Sequence, residues 1–117
     1  MKKIKTRDRI LQTSLALFNT VGEPNVTTLL ISDEMDISPG NLYYHFKSKG
    51  DIVEEIFDQY EHDMVDLLAV PEDADISLDQ QGFFLHLLFE TVARYRFLYQ
   101  DLVNVLSRYD QLQVRFK

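Results

Sequence analysis

Apolar residues recur at helical spacing over most of the chain, beginning with residues 6–21. In that first segment the repeat is carried by Ile10, Leu11, Leu15, Leu17, Phe18 and Val21. Thr6 is a suitable N-cap, and Gly22 followed by Pro24 is a stop signal. The pattern therefore predicts a first helix over residues 6–21.

A second, shorter helix is predicted over residues 28–35, with Thr27 or Thr28 as its N-cap. Its apolar positions, which should point inward, are Leu30, Ile31 and Met35. Residues 36–38 then form a tight turn. Asp at position 36 suits such a turn because it tolerates a left-handed backbone better than most residues.

The third predicted helix has a shape suited to a DNA groove. Ser38 can cap it, Pro39 suits its first position, and it continues to about Phe46. Leu42 and Phe46 lie four residues apart and form a narrow apolar face. The remaining faces carry Gly40, Asn41, Tyr43, Tyr44, His45 and Lys47. A helix, a short turn and a capped polar helix together are typical of a helix-turn-helix.

The rest of the chain is predicted to be helical as well. A long helix covers about residues 49–68, and an acidic loop follows at 71–75. The next helix begins at Ser77 or Asp79 and ends near residue 95; it is apolar on nearly every side, so we expect it to be buried. Further helices are predicted over residues 97–106 and from about residue 109. No strand alternation is present, and the fold class is all-α.

The charge is divided unevenly along the 117 residues. The whole chain has a net charge of −7, but residues 1–50 hold seven Lys/Arg against five Asp/Glu, whereas residues 51–117 hold five against fourteen. The first part can therefore approach a polyanion, and the second would be repelled by it. The N-terminal basic residues would either add an arm that contacts DNA or serve only as a solubilising tail: Lys2, Lys3, Lys5, Arg7 and Arg9.

Several classes of protein are disfavoured by the composition. The chain has no Cys, which excludes a disulfide framework, a zinc finger and a thiol nucleophile. His62 and His86 lack the Glu three residues earlier that a di-iron helical bundle uses. No nucleophile–base pair, metal constellation, signal peptide or membrane span is indicated, so we expect neither an enzyme nor a cofactor, and a cytoplasmic protein.

The motifs of residues 6–60 resemble the TetR/AcrR family of bacterial transcriptional repressors. The resemblance rests on Phe18-x-x-x-Gly22, Thr27-Thr28, Ile31, and then Ile37-Ser38-x-Gly40-x-Leu42-Tyr43-x-His45-Phe46-x-x-Lys49. A weaker likeness to one subgroup covers residues 95–102. Leu29 departs from the family pattern, because many members carry a polar or basic residue there.

The resemblance implies which residues contact DNA. Thr28, Tyr43, His45 and Lys49 match phosphate or groove contacts, with Lys49 as a phosphate clamp at the start of the long helix. Pro39, Gly40 and Asn41 match the base-facing start of the recognition helix. Tyr44 matches a contact of either kind, to phosphate or in the groove. Leu42 and Phe46 match core positions.

The family also implies a two-part architecture. Residues 1–50 would form the DNA-binding domain, and residues 51–117 would begin a helical effector and dimerisation domain that looks incomplete. Residues that would line part of an effector pocket are Phe57, Tyr60, Met64, Phe84, Leu88 and Tyr95. From the pattern alone, such an aromatic stripe is better explained as core, and the pocket is only what the resemblance implies.

Two functions are therefore open at this point. The first is a regulator that binds a palindromic operator as a homodimer at the bacterial nucleoid and is released by a small-molecule effector. The second is a truncated helical interaction module that pairs with other subunits without binding DNA tightly.

Overall fold

The computed structural model describes residues 4–69 and 77–100, and within these ranges it contains helices and no strand. The helices are α1 Thr6–Leu17, α2 Thr28–Met35, α3 Pro39–His45, α4 Lys49–Leu68, α5 Leu78–Arg94 and α6 Phe97–Gln100. The predicted bounds of α2 and α4 are confirmed. None of the described helices has the length and apolar character needed to cross a bilayer.

Hydroxyl side chains cap four of these helices. The Ser38 hydroxyl accepts the N–H of Asn41 at 3.0 Å and so begins α3. The corresponding caps of α2, α4 and α5 are Thr27, Ser48 and Ser77. Each cap satisfies a main-chain donor that would otherwise lack a partner at the helix start. Because each cap acts within one helical turn, the starts of these helices could be predicted closely from the sequence.

The first helix differs from its prediction. Lys5 occupies the N-cap position without a side-chain bond, so Thr6 is the first helical residue and not the cap. The α-helical geometry ends at Leu17, and Phe18–Gly22 form a wider π-helical turn. A π turn adds a residue to the helical repeat and rotates the residues after it about the helix axis. Val21, the last residue of the predicted apolar repeat, lies in this turn and is exposed.

The turn between α2 and α3 depends on a left-handed residue. Asp36 has φ 57° and ψ 44°, and the N–H of Ile37 donates to the carbonyl of Ser32 at 3.0 Å. This conformation ends α2 in a compact turn and lets α3 begin three residues later, at Pro39. The helix-turn-helix is thereby complete over residues 28–45.

One continuous core joins α1–α3 to α4 and to the corner between α5 and α6. Its buried apolar residues are Ile10, Leu11, Phe18, Val26, Ile31, Met35, Leu42, Phe46, Ile52, Val53, Ile56, Phe57, Tyr95, Phe97 and Leu98. The core therefore continues past residue 50 into the first half of α4. We call the helical unit formed by α1–α3 the head.

The prediction that α5 is buried is wrong within the described structure. No residue of Leu78–Arg94 is buried, and Leu78, Phe83 and Phe89 are 84%, 64% and 68% exposed. The physical reason, among residues 4–69 and 77–100, is that α5 packs mainly along α4, which covers one side of a helix that is apolar on several.

Some predictions fall outside the described residues. These are the basic residues Lys2 and Lys3, the acidic loop at 71–75, the continuation of the sixth helix beyond Gln100, and the helix from about residue 109.

Candidate nucleic-acid interface

Helix α3 separates its apolar residues from its polar ones as predicted. Leu42 and Phe46 are buried against the core, at 2% and 5% exposure. Pro39, Gly40 and Asn41 are exposed on the first turn of the helix. A Cβ added at Gly40 would meet the Ser38 hydroxyl at 4.0 Å, so the main chain of this turn is accessible from solvent. The amide of Asn41 is thus presented to solvent at the start of the helix.

Two tyrosines continue this exposed surface along α3. Tyr43 and Tyr44 are 58% and 77% exposed, and the ring of Tyr44 meets that of half-buried His45 edge-on at 5.1 Å. The ammonium of Lys47 lies 4.4 Å above the Tyr43 ring and donates to the Tyr43 carbonyl at 3.2 Å. These rings are amphipathic, with hydroxyl groups that can donate to an anion.

The start of α2 supplies a further polar position. Thr27 accepts the capping bond from the N–H of Leu30 at 3.1 Å, which leaves half-buried Thr28 as the first helical residue rather than the cap. Leu29 beside it is exposed. An exposed apolar residue here matches the departure seen in the sequence.

Lys49 has a different environment from the one expected of a phosphate clamp. Its ammonium lies 3.0 Å from the Glu23 carboxylate and donates to the carbonyls of Glu23 and Val26 at 3.1 and 2.9 Å. Burial lowers the pKa of Lys49 below its usual value. With these three contacts made, a direct bond to phosphate would require one of them to break.

The basic N-terminal segment is also less free than expected. Arg7 and Arg9 lie within α1, not in an extended arm. The guanidinium of Arg7 is 3.3 Å from the carboxylate of Glu55 and 4.9 Å above the ring of Phe46. Arg7 therefore links α1 to α4 and to the end of α3.

Three of the six residues predicted for an effector pocket pack against one another. The ring of Tyr60 lies 5.6 Å from that of Phe57 and 5.5 Å from that of Tyr95. The Tyr95 hydroxyl donates to the carboxylate of Asp63 at 2.6 Å, and that of Tyr60 is hydrogen-bonded to Tyr99. The other three, Met64, Phe84 and Leu88, are half-buried on α4 and α5. Phe57, Tyr60 and Tyr95 therefore pack as a cluster of rings that links α4 to the end of α5.

A groove of about 950 Å³ lies elsewhere, between the start of α1, the second half of α4 and the end of α5. It is lined by Ile4, Lys5, Asp8, Leu11, Gln12, Leu15, Asp58, Gln59, His62, Asp63, Arg94 and Tyr95. Tyr95 alone belongs to both this groove and the predicted pocket. Because three distant segments form its walls, no local sequence motif pointed to it. Nowhere in residues 4–69 and 77–100 do His, Asp or Glu side chains group as metal ligands.

Comparison with known proteins places this geometry in a family. Residues 10–56 match the family described as bacterial regulatory proteins, tetR family, and residues 59–117 match TetR, described as bacterial transcriptional repressor. The chain belongs to the TetR family.

Known relatives support this TetR-family assignment. A TetR-family transcriptional regulator from Marinobacter aquaeolei is 45% identical, with a TM-score of 0.90 over 97% of this chain and 56% of that one. The biofilm operon negative transcriptional regulator IcaR of Staphylococcus epidermidis is 26% identical over 93% of this chain and 52% of its own length. The transcriptional repressor KstR2 of Mycolicibacterium smegmatis is 42% identical over 43% of this chain and 24% of its own. The chain thus spans about half the length of the relatives it matches most fully.

Proposed function

We propose that this TetR-family chain is a DNA-binding transcriptional regulator, and specifically a repressor, that places α3 in the major groove. The observation that carries the proposal is the division of α3 into a buried side and an exposed side. Leu42 and Phe46 anchor the helix, while Asn41, Tyr43 and Tyr44 face solvent. A short capped helix with its polar side outward is the reading element of a helix-turn-helix.

Base recognition is assigned to the first turn of α3. Asn41 can make a paired hydrogen bond to adenine in the major groove. Pro39 and Gly40 have little bulk, so the first turn can come close to the base edges.

Phosphate contacts are assigned to the flanks of the helix-turn-helix. The hydroxyls of Thr28, Tyr43 and Tyr44 and the ring of His45 can donate to phosphate oxygens. Such contacts orient the protein on the duplex without reading sequence. Lys49 is left out of this set because its ammonium is held by Glu23 and Val26.

A single copy offers few contacts, so the proposal includes a homodimer on a palindromic operator. Two heads would read half-sites about 34 Å apart, one helical turn of DNA. Release by a small molecule would act through α4, since α4 joins the core of the head to α5. The packed rings of Phe57, Tyr60 and Tyr95 and the neighbouring Met64, Phe84 and Leu88 are the proposed place for an effector to enter, at the cost of rearranging that packing.

The experiment measures binding of the protein to the DNA upstream of its own gene by fluorescence anisotropy over a range of salt concentrations. We expect binding that falls steeply with salt. Asn41→Ala should weaken operator binding by about 1–3 kcal/mol while leaving binding to unrelated DNA unchanged. Gln59→Ala, which removes an exposed amide from α4, is the matched control and should change neither. Salt-insensitive or absent binding at every protein concentration would contradict the proposal.

A second candidate function is a helical module that pairs with other subunits. The exposed apolar side chains of α5, such as Leu78 and Phe89, favour it, because apolar residues exposed together mark interaction surfaces. Sedimentation of the chain by itself, with operator DNA and with a longer TetR-family subunit separates the two functions. A strict monomer that binds no DNA but associates with a longer TetR-family subunit would favour this second function.

A further inference from the structure

The Lys49 ammonium is held by two carbonyls and one carboxylate. A lysine ammonium carries three N–H donors. Two of them donate to the carbonyls of Glu23 and Val26, at 3.1 and 2.9 Å, and the Glu23 carboxylate lies 3.0 Å from the same nitrogen as its ion-pair partner. We call this set of contacts between Lys49, Glu23 and Val26 the clasp.

The burial of the clasp shows that it is not a surface ion pair. The Glu23 side chain is 1% exposed and that of Lys49 is 23% exposed. A buried carboxylate is costly to leave without a compensating cation, and removal of one partner from such a pair is strongly destabilising. Lys49 is therefore held in place by charge as well as by its hydrogen bonds.

The position of the clasp in the chain gives it a specific consequence. Val26 lies two residues before α2, and Lys49 is the first residue of α4. Their bond closes the chain segment 26–49, which contains both helices of the helix-turn-helix and the turn between them. The two ends of the DNA-reading unit are thus tied to each other and to the start of α4.

We propose that Lys49 and Glu23 are positioning residues, which hold the helix-turn-helix in a fixed orientation on α4, and that Lys49 does not act through a phosphate contact of its own. This inference rests on the proposed DNA-binding function. With the clasp intact, α3 and the start of α2 approach the duplex as one rigid surface. With the clasp broken, the head stays attached through its apolar core, but the direction of α3 relative to α4 is less restricted.

The test uses Lys49→Met, which keeps the length of the side chain and removes its charge and donors. Binding to the operator and to unrelated DNA is measured over a range of salt concentrations, at a temperature where circular dichroism shows the variant to be folded. We expect about a tenfold loss of operator affinity with unchanged affinity for unrelated DNA, because orientation matters for base contacts and not for loose phosphate binding. The slope of log K against log salt should stay the same.

A phosphate clamp gives the opposite pattern. Lys49→Met would then weaken binding to both DNAs and reduce the salt slope by about 0.9, the value for one phosphate neutralised. That outcome would overturn the inference while leaving the proposed function standing. Unchanged operator affinity in the folded variant would overturn it as well. If the unaltered protein shows no salt-sensitive DNA binding, the proposed function itself fails and the inference fails with it.

Glu23→Gln is the second variant, for the case in which Lys49→Met does not fold. It keeps the shape of the side chain and removes its charge. Positioning predicts reduced operator affinity with unchanged binding to unrelated DNA, whereas a phosphate clamp freed from its carboxylate would bind both DNAs more tightly. Lys47→Met is the matched control for folding. The exposed ammonium of Lys47 bonds locally, to the carbonyl of Tyr43 four residues earlier, and the thermal midpoint of this variant should equal that of the unaltered protein.

Discussion

The side-chain oxygen of Asn19 accepts the main-chain N–H of Phe97 at 3.1 Å, although the two residues are 78 positions apart in the chain. The nitrogen of the same amide donates to the carbonyl of Arg94 at 2.8 Å. The rings of Phe18 and Phe97 meet beside it, with their centres 5.1 Å apart. The π-helical turn after α1 is therefore hydrogen-bonded and packed against the corner between α5 and α6. This contact connects the head to the second part of the chain.

Asn19→Ala should weaken this connection. Two hydrogen bonds across distant segments are lost, and we expect a fall of about 1–3 kcal/mol in the free energy of unfolding. Urea denaturation followed by circular dichroism measures it. Asn25→Ala is the matched control, since its amide bonds locally to the carbonyl of Val21 at 2.9 Å. Equal losses in the two variants would contradict the special role of Asn19.

The left-handed turn at position 36 predicts opposite effects for two substitutions. Asp36 has φ 57°, a conformation that glycine adopts without strain and that β-branched residues resist. Asp36→Gly should keep or raise stability by up to about 1 kcal/mol, whereas Asp36→Val should lower it by about 1–2 kcal/mol. Thermal unfolding of the two variants side by side checks the order, and a more stable Val variant would show that the turn is not left-handed in solution.

Neighbouring residues of α3 should respond differently to truncation. Leu42→Ala leaves a cavity in the core and should cost about 2–5 kcal/mol of stability. Tyr43→Ala removes an exposed ring and should change stability by less than about 0.5 kcal/mol. The same denaturation measurement decides, and similar losses for both would contradict the burial of Leu42 and the exposure of Tyr43.

The tyrosine cluster predicts a loss of stability at alkaline pH. Burial, assisted by the hydrogen bond to Asp63, raises the pKa of Tyr95 from an ordinary value of 10.0 to about 12, and burial also raises the pKa of Tyr99. Because the folded-state pKa lies above the unfolded one, this contribution to stability is complete below the unfolded pKa and is lost as pH rises toward the folded pKa. Stability should therefore fall from about pH 10 to pH 12.

Ultraviolet titration of tyrosinate formation separates the residues. Tyr95→Phe should remove a late-ionising tyrosine and reduce the alkaline loss of stability. Tyr44→Phe, the control, removes an exposed tyrosine and should leave the late ionisation and the alkaline loss of stability in place. An early-ionising Tyr95 in the folded protein would contradict the buried hydrogen bond to Asp63.

The contrast between α4 and α1 shows what could be anticipated from local pattern. The start of α4 at Lys49 follows from Ser48 and a regular apolar repeat, both of which act within one or two helical turns. The π turn at Phe18–Gly22 has no such local signature. It accompanies the burial of Phe18 and the contact of Asn19 with residues far along the chain.

The candidate site also has some features that follow from local spacing and others that depend on distant contacts. The outward placement of Asn41 and Tyr44 follows from their helical spacing relative to Leu42 and Phe46. Family resemblance pointed to the importance of Lys49 but not to its partner. Glu23 lies 26 residues away, and nothing in the sequence around either residue indicates that the two side chains meet.

Local pattern was enough to define most of the helices, the Ser38 cap of α3, the helix-turn-helix and the family, because these depend on contacts within a few residues. Only the folded chain reveals that Lys49 is ion-paired with Glu23 and that Asn19 is hydrogen-bonded to the α5–α6 corner. It also shows that apolar side chains of α5, such as Phe83 and Phe89, are exposed. Each of these depends on which distant segments pack together, and that choice is made by the shared core rather than by any local pattern.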